Sequence, residues 1–121
     1  MNHPRFEKHE QIRFAHCDPA GIVFYPQYFV LFNGLVEDWV TQGLGIRYAE
    51  LIGARRTGMP TVNLQTDFRA ISRFGDEVRL GLEVEALGGR SLTLVLDSHG
   101  AEGGLRVQSR HVIVTTHLDT H

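Results

Sequence analysis

The spacing of apolar residues predicts one long helix in the first half of the chain. Over residues 28–42 they recur every three or four positions, the period of one helix face. The recurring positions are Tyr28, Phe32, Leu35, Val36, Trp39 and Val40. Residues 29–31 widen the apolar surface, so we expect this helix to be covered nearly all round. Pro26 suits its first turn, and Gly43 and Gly45 suit its end.

The second half of the chain alternates apolar and polar residues, which predicts antiparallel strands with one buried face. The alternating segments are residues 62–70, 78–86, 92–96 and 105–116. Residues 7–14 predict a weaker first strand, and residues 47–52 a short second helix. This order gives an α+β fold: a five-stranded antiparallel sheet curled around one long central helix. We expect one domain over residues 1–121.

Composition excludes several classes of protein. A net charge of −2 argues against a nucleic-acid partner, which calls for a basic face. No apolar run approaches the roughly 20 residues that span a bilayer, so no membrane partner is expected. The single cysteine, Cys17, excludes an intrachain disulfide and a cysteine-rich zinc site. Together with a polar N-terminal segment, it favours a reducing cytoplasm.

The segment from His16 to Pro26 is the part of the sequence most suited to chemistry. Asp18 lies in a Pro- and Gly-containing loop just before the predicted helix, near the free backbone N–H groups of its first turn. Such donors and the helix dipole favour negative charge and can stabilise an oxyanion. The alternative interpretation is that Asp18 only braces a turn, as Asp often does before a helix.

This loop also carries a family resemblance. The stretch Cys17-Asp18-Pro19-Ala20-Gly21-Ile22-Val23-Phe24-Tyr25-Pro26, followed by Tyr28, resembles the signature of hotdog-fold acyl-CoA thioesterases of the 4-hydroxybenzoyl-CoA thioesterase type. Residues 74–78 (Phe-Gly-Asp-Glu-Val) resemble the start of that family's third strand. The resemblance runs from about Glu7 to about Thr116 and implies the hotdog fold, whose element order agrees with the pattern above.

The resemblance implies that Asp18 is the catalytic carboxylate, either as the nucleophile on the thioester carbonyl or as the base for a water. It implies that the backbone N–H of Tyr25 polarises that carbonyl. A thioester is already activated, so one carboxylate and one oxyanion donor suffice, and no metal or other cofactor is expected.

Three further positions follow from the resemblance. Asn33 matches a position where the hydroxybenzoyl enzyme has a carboxylate facing the substrate hydroxyl; an amide can bond a polar acyl tail without the charge. Arg90 and Ser91 resemble a pair that contacts the CoA phosphates, although Gly88 and Gly89 stand where the relative has further basic residues. A solvated helix amide and a solvated surface arginine are the alternative interpretations.

Two other clusters are interpreted as structural. His16, Cys17 and Asp18 are adjacent and seldom converge on one metal ion, and we interpret Cys17 as a small buried hydrophobe. The sequence Asp97-Ser98-His99 has the composition of a catalytic triad, but neighbours in an extended chain point to opposite sides. We expect it to be turn chemistry at a strand end.

The resulting prediction is a cytoplasmic acyl-CoA thioesterase acting on a short-chain or aromatic acyl group. Its aromatic residues near the helix start favour a compact or planar acyl group. Two alternatives stay open: a hotdog hydratase or dehydratase, and a non-catalytic protein that binds acyl or aromatic ligands. The edge strands of the predicted sheet are uncovered, and proteins of the family that the chain resembles pair their sheets edge to edge. We therefore expect a homodimer or homotetramer with its active site at the subunit boundary.

Overall fold

A five-stranded antiparallel sheet packs against one long helix in the computed structural model, which describes residues 5–121. The helices are α1 (Pro26–Asp38) and α2 (Tyr48–Ile52). The strands are β1 (Phe6–Gln11), β2 (Thr57–Gly58), β3 (Thr61–Phe68), β4 (Glu77–Leu87), β5 (Ser91–Gly100), β6 (Leu105–Val114) and β7 (Thr116–His117). The sheet order is β1-β4-β5-β6-β3, with all neighbours antiparallel. The α+β prediction is therefore confirmed.

Helix α1 presents the predicted face to the core. All six residues of the periodic set are buried, and Pro26 occupies the first helical position. A π-helical turn (Trp39–Gly43) ends the helix, and Gly45 follows with φ +75°. The expectation of cover all round is wrong, because Val30 is 59% exposed and the sheet covers only one side of α1. Neither helix of the described residues is both long and apolar enough to cross a bilayer.

The inner face of the sheet supplies the other half of the core. Its central strands align Leu82 with Leu96, and Leu96 with Ser109, across three neighbouring strands. The buried apolar residues on this face are Val78, Leu80, Leu82, Leu94, Leu96, Val107 and Ile113. Full burial of one such side chain stabilises the fold by about 1.5–3 kcal/mol, so this face and α1 hold each other in place.

Strand β3 departs from its predicted pattern. Its apolar residues Val62, Leu64 and Phe68 are 44–59% exposed, although the alternation predicts a buried face. The reason is position: β3 is the last strand of the sheet, bonded only to β6, and its other edge is open. An open edge with exposed apolar side chains favours pairing with another chain.

A small ribbon that pairs a mid-chain segment with a segment near the end of the chain was not predicted. Strands β2 and β7 pair two residues each, too few to show a sequence period. Arg56 closes the ribbon by an ion pair with Asp119 at 3.0 Å. The ribbon forms one side of a polar cleft described below.

The triad-like sequence at residues 97–99 lies within β5 and not in a turn, which corrects our expectation. Asp97 is only 4% exposed on the outer face, where Arg5 donates two hydrogen bonds to its carboxylate at 2.8 and 2.5 Å. His99 shares this face, with Nδ1 3.1 Å from Asp97 Oδ1, whereas Ser98 points into the core. Because Gly81 has no side chain, the Arg5 guanidinium can occupy the space that a Cβ at this position would fill. Asp97 and Arg5 therefore form a structural ion pair on the outer face of the sheet.

His111 is a buried polar residue in the core. It lies on β6, is 2% exposed and faces α1, with its ring near those of Phe29 and Phe32. Its Nε2 lies 2.8 Å from Ser109 Oγ, while Nδ1 has no partner among the described residues. Burial lowers the pKa of His111 to about 4. The imidazole is therefore neutral at neutral pH.

We expect this burial to make the protein acid-sensitive. The pKa of His111 is about 6.5 in the unfolded chain and about 4 in the folded protein. The contribution of this difference to the free energy of unfolding is fully present above about pH 6.5 and is lost as the pH falls towards about 4. The total loss is about 3 kcal/mol. His111→Gln should lose much less free energy of unfolding between about pH 7 and about pH 4.5 than the wild type in urea titrations. His9→Gln, at an exposed position, is the control. Equal losses in wild type and His111→Gln would contradict the assignment.

Candidate active site

The Asp18 loop is a hairpin that leads into α1. Cys17 pairs with Val23, and the Phe24 N–H donates to the His16 carbonyl at 3.0 Å. The Asp18 N–H donates to the Ile22 carbonyl at 3.0 Å. The turn at its tip needs Gly21, whose φ is +78°. These bonds hold Asp18 and the helix start in one hydrogen-bonded unit.

Asp18 itself is half-buried within this hairpin. One carboxylate oxygen, Oδ1, accepts a hydrogen bond from the Ala20 N–H at 2.8 Å. This contact is the turn-bracing role that sequence reasoning left open. It uses one of about four acceptor sites on the carboxylate, and no cation pairs with Asp18 among residues 5–121. The group can therefore brace the turn and still meet an electrophile or a water.

The start of α1 leaves one backbone donor open. The Phe24, Gln27 and Tyr28 N–H groups donate to protein carbonyls, and Pro26 has no N–H. In the described part of the chain, the Tyr25 N–H has no hydrogen-bond partner. It sits at the positive end of the helix dipole, where a developing negative charge is stabilised.

An apolar cleft of about 270 Å³ lies beside this donor. Its walls come from the helix start and from the end of β3 with the loop that follows it, and the lining residues are Val23, Tyr25, Tyr28, Phe68, Arg69, Ala70 and Ile71. The Phe68 ring lies 6.2 Å from that of Tyr25 and 5.8 Å from that of Tyr28. Asp18 does not line the cleft of the single chain. Aromatic faces of this kind suit a planar apolar group.

The cysteine next to Asp18 is a poor nucleophile. Burial, together with the carboxylates of Asp18 and Asp76, raises the pKa of the Cys17 thiol. The thiolate is the reactive form, so this environment suppresses it. Cys17 packs against the core cluster, in line with its interpretation as a small hydrophobe.

The predicted CoA-contacting residues lie elsewhere. Arg90 is exposed in the turn between β4 and β5, and Ser91 is the first residue of β5. Arg90 opens onto a polar cleft of about 380 Å³. The other residues of this cleft come from the β2–β7 ribbon and the segments around it, and they are Thr57, Thr115, Thr116, His117, Thr120 and His121. Hydroxyl, imidazole and guanidinium groups are suitable donors to an anion.

The two clefts are at opposite ends of the sheet. The Asp18 hairpin contacts the loop before β4, whereas Arg90 follows the end of that strand. The 11 residues of β4 span about 36 Å at roughly 3.3 Å each. Asn33 is separate again, exposed on α1 about 10 Å along the axis from Pro26. Within one chain, Asp18 thus lies near Tyr25, and Arg90 lies next to Ser91. The two pairs are far from each other.

Sequence reasoning missed the cleft wall formed by Phe68, Arg69 and Ile71. These residues lie about 50 positions from Asp18, and no local pattern indicates their meeting with the helix start. Among the aromatic residues near that start, Tyr28 both packs in the core and lines the cleft, whereas Phe32 is wholly buried. Phe24 lies outside the cleft lining and is half-exposed.

Comparison with known proteins agrees with this geometry. The family model of the thioesterase-like superfamily matches residues 12–121. A gentisyl-coenzyme A thioesterase of solved structure is 26% identical, with a TM-score of 0.86 over 94% of this chain and 90% of that one. The search of curated proteins finds no match.

Two more distant solved structures share the fold. A 1,4-dihydroxy-2-naphthoyl-CoA thioesterase from Synechocystis is 21% identical (TM-score 0.85; 95% of this chain, 84% of that one). The 4-hydroxybenzoyl-CoA thioesterase from Pseudomonas sp. strain CBS-3 is 19% identical (TM-score 0.80; 92% and 84%). The expected hotdog fold is confirmed. With its family model matched from Ile12 to the last residue, the chain belongs to the thioesterase-like superfamily, whose enzymes hydrolyse thioesters.

Proposed function

We propose that this protein hydrolyses a short-chain or aromatic acyl-CoA to the free acid and CoA. The observation that carries the proposal is the Asp18 hairpin, which holds a half-buried carboxylate and leads directly to the open N–H of Tyr25, a residue that lines an apolar cleft. Membership of the thioesterase-like superfamily and the likeness to a gentisyl-coenzyme A thioesterase support the same reaction.

The proposed chemistry needs only these two groups. The Tyr25 N–H donates to the thioester oxygen and stabilises the charge that develops there. Asp18 either attacks the carbonyl carbon, expelling CoA thiolate and leaving a mixed anhydride that water cleaves, or removes a proton from a water that attacks directly. Both routes consume one water and give one acid and one thiol.

The apolar cleft suits the acyl group. Tyr25, Tyr28 and Phe68 give it aromatic walls. Burial raises the pKa of the Tyr28 phenol, which stays neutral and adds no charge to the cleft. A rigid planar group loses little entropy on entering a cleft of this kind, whereas a long flexible chain loses more. A benzoyl-type or short-chain group is therefore favoured.

We further propose that the CoA phosphates are held by Arg90 and Ser91 of a second copy. If the β3 strands of two copies pair antiparallel, Phe68 of one copy lies near Thr61 of the other. Thr61 is at the end of the sheet where the polar cleft that contains Arg90 opens, so that cleft of the second copy lies near the apolar cleft of the first. The same pairing places the exposed apolar residues of β3 at the boundary between the two copies. Pairing through β3 gives a homodimer, or a homotetramer built from two such dimers. In this assembly, Asn33 could contact the far end of an acyl group bound in a neighbouring site.

The acyl preference is directly measurable. On one preparation, kcat/KM should be higher for benzoyl-CoA and a C4 acyl-CoA than for a C16 ester. 4-Hydroxybenzoyl-CoA should differ from benzoyl-CoA by roughly 10-fold to 100-fold at most, because Asn33 offers a neutral and exposed partner for the hydroxyl. Best activity on the C16 ester, or discrimination near 10⁴ for the hydroxyl, would contradict this description of the cleft.

A further inference from the structure

A second loop holds the Asp18 hairpin in place. The connection between β3 and β4, residues 69–76, runs alongside residues 21–23 of the hairpin. The Val23 N–H donates to the Ser72 carbonyl at 3.0 Å, and the Phe74 N–H donates to the Gly21 carbonyl at 2.9 Å. The position of this second loop, the bracing loop, therefore helps to fix the position of Asp18.

Arg106 on β6 ties down both ends of the bracing loop. Its backbone carbonyl accepts hydrogen bonds from the Arg69 and Ala70 N–H groups at 2.8 and 3.0 Å. Its guanidinium Nη1 donates to Asp76 Oδ2 at 2.8 Å and to Ser72 Oγ at 3.2 Å. The Arg106 side chain is only 14% exposed and that of Asp76 is 32% exposed, so these bonds are partly shielded from water.

Asp76 completes the arrangement from inside the loop. The same Oδ2 atom accepts a hydrogen bond from the Arg73 N–H at 2.9 Å. The Arg73 N–H and then the Arg106 guanidinium lower the pKa of Asp76, which keeps it ionised at neutral pH. Arg106 also reaches Glu102 at 3.3 Å, but that carboxylate is well exposed and contributes little.

We propose that Arg106 and Asp76 are positioning residues for catalysis, which hold the bracing loop and, through it, the hairpin that carries Asp18 and leads to the Tyr25 N–H. This inference rests on the proposed function. Neither residue touches the reacting atoms. Their loss should impair the alignment of the carboxylate and the oxyanion donor, which matters most in the transition state.

The expected effect is therefore on kcat more than on KM. A shift of about 1 Å in a catalytic group can cost about 10²-fold in rate, so Arg106→Gln should lower kcat by roughly 10-fold to 100-fold with KM changed less than about threefold. Arg106→Lys keeps the charge and one nitrogen donor, and a single nitrogen makes the bonds to both Ser72 and Asp76, so this variant should recover part of the rate. Asp76→Asn should behave like Arg106→Gln.

The matched control is Arg110→Gln. Arg110 lies on the same strand and pairs with Glu85 at 2.8 Å, but on the outer face away from the bracing loop. Hydrogen exchange gives a readout that needs no substrate. In Arg106→Gln, the amides of Val23 and Phe74 should exchange faster, while that of Leu96 in the sheet core should not change.

Each result decides the inference. A wild-type kcat in folded Arg106→Gln and Asp76→Asn would overturn the inference. So would a loss of kcat in Arg110→Gln as large as that in Arg106→Gln. Faster exchange at Leu96 to the same extent as at Val23 would also overturn it. If Arg106→Gln does not fold, Asp76→Asn, which keeps the side-chain shape, decides. If the wild type cleaves no acyl-CoA, the proposed function fails, and unchanged exchange at Val23 and Phe74 in the variants would separately refute the coupling of the loops.

Discussion

Asp18→Ala is expected to lower the turnover of the preferred acyl-CoA by about 10²–10⁴-fold, with KM changed by only a few-fold. A nucleophile or general base acts mainly in the transition state, so its loss appears in kcat. The hairpin around Asp18 is held by backbone bonds that the substitution keeps: those between residues 16 and 24, 18 and 22, and 21 and 74. The variant should therefore fold, although it loses the turn contact with Ala20.

The comparison that isolates this effect uses a second carboxylate. Glu50→Ala removes an exposed acid on α2, far in sequence from the hairpin, and should keep wild-type turnover. Asp18→Asn keeps the acceptor for the Ala20 N–H but loses the charge, and should be nearly as slow as Asp18→Ala. Near-normal turnover in a folded Asp18→Asn protein would show that Asp18 only braces the turn.

Leu64→Lys is expected to dissociate the oligomer and, with it, the activity. Leu64 lies in the middle of the open edge strand β3 and is half-exposed in the single chain. A pair of antiparallel β3 strands would place two such lysines near each other, and like charges brought together in an interface cost several kcal/mol. That corresponds to about a 10³-fold weaker dimer.

Light scattering and CoA release at the same protein concentration test this prediction together. Leu44→Lys places the same charge on another exposed leucine, outside the sheet, and should leave both measurements at the wild-type level. Loss of the dimer with activity retained would place the complete site within one chain. A wild type that is monomeric and fully active would contradict the shared site altogether.

Local patterns were enough to predict the helix and to single out the Asp18 loop before it. The period of α1 identifies six residues that are all buried, because a helix face is set by neighbours three and four positions away. The alternation of apolar and polar residues in β4 identifies its inner face, because successive side chains of a strand point to opposite faces of the sheet. Asp18 and Tyr25 could be placed near each other from the sequence because only the rest of one short hairpin separates them, and the family resemblance supplied the roles predicted for them.

Long-range contacts could not be predicted in this way. The bracing of residues 21–23 by residues 72–74, and of both by Arg106, joins segments that share no periodic signal. The expectation of turn chemistry at Asp97 is wrong because the partner of this buried carboxylate, Arg5, lies about 90 positions away in the sequence. Strand β3 is the opposite case: its apolar and polar residues alternate as predicted, but the single chain does not bury its apolar residues.

The most direct test of the proposed function is product analysis after incubation of the wild type with an unsaturated C4 thioester, crotonyl-CoA. If the protein is a hydrolase, equal amounts of free CoA and crotonate should form, at a rate that Asp18→Ala lowers by about 10²–10⁴-fold. A hydrated acyl chain still joined to CoA would identify a hydratase. Binding with no change in the thioester, repeated with benzoyl-CoA, would identify a protein that only holds acyl ligands, and either of these results would contradict the account.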